Sequence, residues 1–219
     1  MTERSESSRG PSSAREPIVF VVEDDASTRR ALSNLLESVG LQVEVFGSAS
    51  EMLQGKLPDV ASCLVLDVRL PGLSGLDFQA ELAKANINIP IIFMTGHGDI
   101  PMSVRAMKGG AIDFLTKPFR DQDMLDAVVK AIGHDRERRE ADRIVADVRT
   151  LFETLSTRER EVMALVSFGH MNKQVAAELG LAEITVKIHR GHVMKKMGAK
   201  SLADLLRQAE LLGIRRNKP

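Results

Sequence analysis

The sequence predicts an α/β domain built on a five-stranded parallel sheet, followed by a helical linker and an all-α domain. Two observations support this prediction. Residues 17–132 alternate short apolar runs with segments of helical periodicity, which is typical of a doubly wound parallel sheet covered by helices on both faces. The last third of the chain shows helical patterns only. A chain of 219 residues is long enough for two modest domains.

Five short apolar runs are the predicted strands. They are Ile18–Val22, Val43–Phe46, Cys63–Leu66, Ile89–Met94 and Ile112–Leu115. Between the first two runs, apolar residues from Leu32 to Val39 recur at helical spacing, and Gly40 supplies a helix C-terminus. In a sheet of this kind ligands bind at the carboxyl ends of the strands. Residues with a chemical role are therefore expected there.

Composition limits the compartment and the class of protein. The single cysteine, Cys63, excludes an internal disulfide and fits a reducing cytoplasm. Its apolar neighbours favour a buried thiol over a reactive one. The apolar runs are too short to span a bilayer, so no membrane association is expected. Residues 1–16 are rich in Ser, Arg and Glu, and we expect a disordered tail there instead of a secretory signal.

Charge divides the chain in the same way as periodicity does. Residues 17–132 contain 10 Lys and Arg against 15 Asp and Glu, a net charge of −5. Residues 156–219 contain 12 against 6, a net charge of +6. An acidic domain can hold a cation, and a basic domain points to a polyanionic partner. The two domains are therefore expected to have different roles.

Residues 133–155 are predicted to form a helical linker. Its centre, residues 134–140, is almost wholly charged. Apolar residues then recur every three or four positions, namely Ile144, Val148, Leu151 and Leu155. This stripe suits a helix that packs on a partner helix. The alternative is a solvated helix that only spaces the two domains.

The last domain, residues 156–219, is predicted to be helical throughout. A capping-box pattern, Ser156 followed by Glu159, opens a helix that runs to Ser167. The following helices are predicted at Asn172–Leu179, Glu183–Met197 and Ser201–Leu212. A tight turn containing Gly180 joins the first two of these, which is the signature of a helix-turn-helix.

Polar residues that belong together follow four of the predicted strands. They are Glu23-Asp24-Asp25 after the first, Asp67 after the third, Thr95 after the fourth and Lys117 after the fifth. Carboxylates brought this close would repel unless a cation intervened. Mg²⁺ suits such a site because it binds oxygen ligands through few carboxylates. With the metal and Lys117 neutralising charge, Asp67 could attack a phosphoryl group.

Here the sequence resembles the receiver domain of bacterial response regulators over residues 17–132. The matching strings are Val22-Glu23-Asp24-Asp25, Leu66-Asp67-Val68-Arg69-Leu70-Pro71-Gly72, Met94-Thr95-Gly96 and Phe114-Leu115-Thr116-Lys117-Pro118-Phe119. The resemblance implies a flavodoxin-like fold and a sensor histidine kinase as the phosphodonor. It also implies that Lys117 and Pro118 are joined by a cis peptide bond.

The resemblance further assigns roles to individual residues. Asp67 would be the phosphoacceptor, and Thr95 and Lys117 would bind phosphoryl oxygens. Asp24 would bind Mg²⁺ directly, with Glu23 as an additional acid of the metal site and Arg69 contributing its backbone carbonyl. Thr95 and Phe114 would form the conformational switch. Two residues depart from the commonest pattern, since Glu23 stands where Asp is usual and Phe114 where Tyr is usual.

The predicted second helix of the helix-turn-helix is basic. Lys187, Arg190, Lys195 and Lys196 lie on it, with His189 and His192 between them. An α-helix fits the major groove of DNA, and a positively charged one can contact the phosphates on either side of the groove. The absence of Trp and Tyr disfavours single-strand binding by base stacking. RNA remains the alternative partner.

The strings Leu155-Ser156-Thr157-Arg158-Glu159-Arg160-Glu161-Val162, Asn172-Lys173-Gln174-Val175-Ala176 and Thr185-Val186-Lys187-Ile188-His189 resemble the LuxR-type domain. Both domains together resemble the FixJ/NarL family of transcriptional regulators. The implied DNA-binding residues are Asn172, Lys173, Thr185, Lys187, Ile188, Arg190 and Lys195. Asn172 and Lys173 would lie near the phosphates, whereas Lys187, Ile188 and Arg190 would approach base edges.

The resemblance implies a phosphorylation-dependent transcriptional regulator and not an enzyme. A phosphatase of the dehalogenase type would need an acid two residues after Asp67, where Arg69 stands. Phosphorylation is expected to produce a homodimer through the face of the helix Ile100–Lys108. That face would present Ile100, Met102, Val104 and Met107. Leu202, Leu205, Leu206 and Ala209 of the last helix are a second candidate dimer contact, and core packing is the alternative for them.

Overall fold

The computed structural model describes residues 16–55, 57–96 and 100–214. The chain divides into two compact units, one up to Arg139 and the other from Glu140 onward. The predicted disordered tail lies outside the described residues except for Glu16, and residues 215–219 also lie outside them. Within the described residues, no helix combines the length and the apolar character needed to cross a membrane.

The described part of the N-terminal unit contains a five-stranded parallel sheet. Its strands are β1 (Ile18–Val22), β2 (Gln42–Phe46), β3 (Ser62–Asp67), β4 (Ile91–Thr95) and β5 (Asp113–Thr116). Their order across the sheet is β2-β1-β3-β4-β5, and all neighbours are parallel. The five predicted runs coincide with these strands apart from small shifts at their ends. β4 begins only after Pro90, which has no N–H to donate to a neighbouring strand.

Helices cover both faces of the sheet. They are α1 (Ala26–Ser38), α2 (Ala49–Gln54), α3 (Gly75–Lys84), α4 (Ile100–Lys108) and α5 (Asp121–Glu153). One apolar cluster contains Phe20 of β1 and Phe78 of α3. The other contains Val21 of β1 together with Leu36 of α1 and Met124 of α5. Because successive strand residues point to opposite faces, this alternation confirms the predicted doubly wound arrangement.

Cys63 lies in the second of these clusters and is fully buried. Burial, with a smaller contribution from the negative charge of Asp135, raises the pKa of the Cys63 thiol to about 12. A thiol reacts through its thiolate form, which this environment suppresses. The prediction of a buried and unreactive cysteine agrees with both observations.

α5 extends the N-terminal unit beyond the predicted end of the α/β domain. The helix is continuous through Gly133. Asp135 is buried and accepts a hydrogen bond of 3.0 Å from the backbone N–H of Ser62, at the start of β3. The same carboxylate pairs with Arg138 at 2.6 Å and with Arg139 at 2.7 Å. The first part of the charged segment, which was predicted to belong to the linker, therefore contacts β3 of the sheet.

The described part of the C-terminal unit is helical. After the end of α5 come α6 (Thr157–Ser167), α7 (Asn172–Leu179), α8 (Glu183–Lys196) and α9 (Leu202–Leu211). Ser156 and Glu159 form the predicted capping box of α6. Gly180 ends α7 with a φ of 65°, in the left-handed region that glycine adopts without strain. The predicted helix-turn-helix pair is therefore present as α7 and α8.

The apolar stripe predicted for the linker divides between two environments. Val148 and Leu155 are buried in the core of the C-terminal unit, whereas Ile144 and Leu151 are exposed. A solvated spacer does not describe the buried half of this stripe, whereas packing on a partner helix stays a prediction for the exposed half, Ile144 and Leu151. Half of it completes the core of its own unit.

α9 contributes to the same core. Leu205 and Ala209 are fully buried in it, so core packing, the second of the two alternatives, holds for these two residues. Leu206 is half-buried and Leu202 is 42% exposed. The spacing of four residues between Leu205 and Ala209 places both on the face that meets the other helices.

Candidate functional site

Polar residues predicted at strand ends meet at one edge of the sheet in the N-terminal unit. Glu23 directly follows β1, and Asp67 is the last residue of β3. Thr95 is the last residue of β4, and Lys117 directly follows β5. The carboxyl ends of parallel strands share an edge, and hydrogen bonds bring the side chains of Glu23, Asp67 and Lys117 together there.

Lys117 joins two of the carboxylates. Its Nζ donates a hydrogen bond of 2.6 Å to Oε2 of Glu23 and one of 2.9 Å to Oδ2 of Asp67. Both acids are buried, and the lysine side chain is 24% exposed. Burial acts to lower the pKa of Lys117, but its two hydrogen bonds outweigh this effect and the pKa is raised. Lys117 is therefore a fixed positive charge beside Asp67.

An acidic cluster surrounds this charge. Glu23, Asp24 and Asp67 each offer a carboxylate oxygen, and the three oxygens lie within 4.8 Å of one another. Burial and the charge of Asp67 raise the pKa of Glu23, in spite of the hydrogen bond from Lys117. Asp24 is exposed, so an ion could reach the cluster from solvent. Oxygen ligands in this number suit Mg²⁺.

Backbone groups fix the orientation of Asp67. Its Oδ1 accepts a hydrogen bond of 3.0 Å from the backbone N–H of Arg69. The N–H of Gly75, at the start of α3, donates to the carbonyl of Val68 at 2.9 Å. A Cβ atom at Gly75 would collide with the carbonyl oxygen of Asp67. The absence of a side chain at Gly75 thus lets α3 begin directly against the strand end that presents Asp67.

Thr95 and Phe114 lie on the neighbouring strands. Thr95 is fully buried, and its carbonyl accepts a hydrogen bond of 2.7 Å from the N–H of Lys117. Phe114 is half-buried on β5, where its ring centroid lies 6.4 Å from that of Phe93. The peptide bond between Lys117 and Pro118 is cis, as predicted. Thr95 therefore lies at the edge of the sheet that holds the acidic cluster. Phe114 lies on β5, the strand that pairs directly with β4.

Residues predicted to bind nucleic acid lie on α7 and α8 in the C-terminal unit. Those with exposed side chains are Lys173, Lys187, Ile188 and Lys195, and those that are half-buried are Asn172, Thr185 and Arg190. Nη1 of Arg190 donates a hydrogen bond of 3.1 Å to Oδ1 of Asn172. These two residues therefore hold α7 against α8 as well as facing solvent.

One lysine of α8 is committed to the fold. Nζ of Lys196 donates to Oε2 of Glu159 at 2.7 Å. This hydrogen bond, with the one from the backbone N–H of Ser156, lowers the pKa of Glu159 to about 2. Lys196 is thus a less available basic residue than the sequence suggested, because its charge is already paired with an acid of α6.

Comparison with known protein families identifies both units. Residues 19–129 match the response regulator receiver domain, and residues 153–209 match the luxR family of bacterial regulatory proteins. The chain is a response regulator. It combines a receiver domain with a LuxR-type DNA-binding domain, which makes it a transcriptional regulator.

Curated relatives are similar to this chain along most of their length. Nodulation protein W of Bradyrhizobium diazoefficiens is 74% identical over 200 residues, which are 91% of this chain and 88% of the relative. Transcriptional regulatory protein FixJ of Rhizobium meliloti is 43% identical over 193 residues, covering 87% of this chain and 94% of the relative.

Two solved structures are also similar to this chain over most of its length. The response regulator StyR has a TM-score of 0.79 and 49% sequence identity, and the match covers 89% of this chain and 98% of StyR. Full-length FixJ from B. japonicum has a TM-score of 0.54 and 38% identity, covering 90% of this chain and 97% of that structure.

The structure of this response regulator also reveals residues that sequence reasoning missed. Nη1 of Arg29 in α1 donates to the carbonyls of Glu23 and Asp24 at 2.6 and 3.1 Å, so it fixes the acidic loop. In the LuxR-type domain, Ile184 is 64% exposed and lies one helical turn before Ile188, which is 52% exposed. Two sequence features could have indicated these residues. Arg29 is a basic residue in the helix that follows the acidic loop, and Ile184 and Ile188 are apolar residues at helical spacing on a basic helix.

Proposed function

We propose that this response regulator accepts a phosphoryl group on Asp67 from a sensor histidine kinase and thereby controls DNA binding by its LuxR-type domain. The observation that best supports the proposal is the contact of Lys117 with Asp67 at 2.9 Å. It places a permanent positive charge where the charge on a transferring phosphoryl group would develop. Because the receiver acts on its own side chain, the role is regulatory and needs no enzymatic turnover.

In the transfer step, a carboxylate oxygen of Asp67 attacks the phosphorus atom of the phosphohistidine. The new O–P bond forms as the N–P bond breaks, and the histidine nitrogen keeps the electron pair. Lys117 then binds one phosphoryl oxygen, and the hydroxyl of Thr95 donates to another. The hydrogen bond from the Arg69 N–H holds Oδ1 of Asp67 in place throughout.

Mg²⁺ is the proposed cofactor of this site. Asp24 and Asp67 would bind it directly, with Glu23 as an additional acid and the backbone carbonyl of Arg69 as a further oxygen. The raised pKa of Glu23 supports a cation here, since burial and the neighbouring Asp67 disfavour its ionised form. When bound, Mg²⁺ neutralises negative charge on the phosphoryl group and the carboxylates.

The proposed switch leads from Asp67 to the surface of α4. Phosphate draws Thr95 inward, and Phe114 turns into the space that Thr95 leaves. The adjoining face exposes Ile100 at 80%, Val104 at 43% and Met107 at 47% of their surface. Met102, which was expected on this face, instead packs against the receiver core. The three exposed residues form the surface that we propose for pairing of two phosphorylated receivers.

Double-stranded DNA is the proposed partner of α8. Lys173 would contact phosphates, and Lys187 with Ile188 would approach base edges in the major groove. Ile184 extends the apolar part of that surface by one turn. A paired receiver would bring two such helices to two half-sites. Tighter binding to duplex RNA than to duplex DNA of the same sequence would favour the alternative RNA-binding function.

Intact mass spectrometry tests the phosphoacceptor. The full-length protein is incubated with a small-molecule phosphodonor and Mg²⁺, and we expect one phosphate adduct that is lost in Asp67→Asn and strongly reduced by EDTA. Asp77→Asn, an exposed acid of α3 outside the cluster, serves as the matched control and should form the adduct normally. An undiminished adduct on Asp67→Asn, or one insensitive to EDTA, would contradict the proposal.

A further inference from the structure

We infer that the LuxR-type domain holds a divalent transition-metal site formed by Glu159, His189 and His192. Glu159 lies in the first turn of α6, whereas the two histidines lie one turn apart on α8. Each residue offers one ligand atom, and the three atoms lie within 4.8 Å of one another. Two imidazoles and one carboxylate are a ligand set typical of Zn²⁺ with an open fourth position.

The carboxylate is already oriented for such a role. Its Oε2 accepts hydrogen bonds from Nζ of Lys196 at 2.7 Å and from the backbone N–H of Ser156 at 2.8 Å. Its Oε1 lies 3.6 Å from Nδ1 of His192. The Ser156 N–H carries no net charge, and a hydrogen bond of this kind to the far oxygen of a ligating carboxylate supports metal binding. Glu159 therefore directs one fixed oxygen towards the histidines.

His189 adds a second, independent observation. Its Nδ1 is buried and has no hydrogen-bond partner among the described residues. A buried nitrogen without a partner costs free energy, and a neutral imidazole nitrogen is a common metal ligand. The same nitrogen of His170 is also buried and lacks a hydrogen bond, and it lies 3.3 Å from a carboxylate oxygen of Glu178. His170 belongs to no three-residue cluster of possible metal ligands among the described residues. His189 therefore differs from His170, because His189 belongs to a cluster of three possible metal ligands.

Lys196 is the charge that opposes the ion. Its side chain is 39% exposed, and its long flexible stem allows the ammonium group to move towards solvent when an ion approaches Oε1 of Glu159. A bound ion would connect α6 to α8. Since the unfolded chain contains no preformed site, binding would stabilise the folded domain.

Titration calorimetry with Zn²⁺ tests the inference on the untagged, full-length protein in excess Mg²⁺. The wild type is compared with His192→Ala and with the control His170→Ala. The receiver is identical in all three proteins, so any difference belongs to the LuxR-type domain. We expect His192→Ala to weaken Zn²⁺ binding by more than about 10-fold and His170→Ala to bind as the wild type does. Equal binding by the wild type and His192→Ala would overturn the inference.

Thermal unfolding and NMR give independent measurements. Zn²⁺ should raise the Tm of the wild type and of His170→Ala but not that of His192→Ala. His192 is 57% exposed on a helix, where alanine is well tolerated, so the variant should fold. In the wild type, Zn²⁺ should shift the ring signals of His189 and His192 without shifting those of His170. Unchanged ring signals of His189 and His192 would also overturn the inference, with no variant required.

Discussion

At the scale of single residues, the proposed phosphotransfer depends most on Lys117. This lysine contacts Glu23 at 2.6 Å and Asp67 at 2.9 Å, and so keeps two buried carboxylates close together. Without a positive charge, the repulsion between these acids would favour protonation of one of them. Lys117 therefore both opposes this repulsion and, in the proposed phosphotransfer, provides a positive charge for the incoming phosphoryl group.

Replacing this lysine should slow phosphorylation more than it harms folding. We predict that Lys117→Ala lowers the rate of phosphate-adduct formation by about 100-fold, the order expected for losing one group that stabilises developing charge. Rates are measured by intact mass over time with a small phosphodonor. Lys130→Ala is the control, because Lys130 is 65% exposed and lies 3.7 Å from Asp113, away from the cluster. Equal rates for Lys117→Ala and the wild type would refute this role.

The sequence was sufficient to place the acidic cluster, and it left the contacts within the cluster open. Glu23, Asp67 and Thr95 could be placed because each comes at the end of an apolar run, and parallel strands end at one edge. That Lys117 contacts two acids depends on the conformation of a long side chain, which no local pattern determines. The role of Arg29 also depends on the conformation of a long side chain, which reaches back to the backbone carbonyls of Glu23 and Asp24.

At the scale of elements, α5 shows most clearly where local sequence misleads. The charged segment at its centre has the composition of a solvated helix, yet Asp135 is fully buried. Its burial follows from two contacts distant in the chain: the N–H of Ser62, and Asp59, which pairs with Arg139. Periodicity within α5 contains no information about the start of β3. The strands and the α7–α8 pair, by contrast, were predicted well because their patterns are local.

The buried carboxylate on α5 should contribute measurably to stability. We predict that Asp135→Ala lowers the free energy of unfolding of the receiver by about 2–4 kcal/mol, because the N–H of Ser62 loses its acceptor and Arg138 and Arg139 each lose one ion pair. Urea denaturation of the full-length protein measures the change. Glu137→Ala on the same helix, where the side chain is exposed, should change stability by less than about 0.5 kcal/mol. Equal stability of the two variants would show that the network is dispensable.

α8 is the element whose surface should determine DNA binding. We predict that Lys173→Ala on α7 weakens binding to all duplexes about equally and reduces the salt slope by about 1, as for one lost phosphate contact. Ile188→Ala should instead reduce the preference for a selected operator, since an apolar side chain contacts thymine methyl groups. Anisotropy titrations over a range of salt concentrations measure both effects.

Arg207→Ala on α9 is the control for these variants. Its side chain is 75% exposed and lies near Asp204, outside the proposed DNA-binding surface. It should bind operator and random duplex as the wild type does. If Lys173→Ala and Ile188→Ala also retain wild-type affinity and preference, the assignment of α7 and α8 to DNA binding is wrong.

At the scale of the whole molecule, the two domains differ in charge as they differ in role. The receiver segment, residues 17–132, has a net charge of −5, and residues 156–219 have a net charge of +6. The acidic part contains the cluster that suits a cation, and the basic part contains the helix pair that suits a polyanion. This division was visible in the sequence. The division of the apolar stripe of α5 was not, because burial of Val148 and Leu155 depends on α6 to α9.

The central claim is that a phosphate on Asp67 changes the affinity of the LuxR-type domain for DNA. A ligand shifts a two-state equilibrium only by its differential affinity for the two states, and a nearly complete switch needs about 5.5 kcal/mol. Coupling of ordinary size corresponds to a change in affinity of about 5- to 150-fold. The proposal therefore requires an effect that is easily measured in solution.

Anisotropy titration of a selected operator duplex with the full-length protein measures this effect most directly. The wild type and Asp67→Asn are each titrated with and without a small phosphodonor, at one salt concentration and with Mg²⁺ present. We predict that the phosphodonor tightens operator binding by the wild type by at least about 10-fold and leaves binding by Asp67→Asn unchanged. An unchanged affinity of the phosphorylated wild type, or an equal response of Asp67→Asn, would contradict the claim.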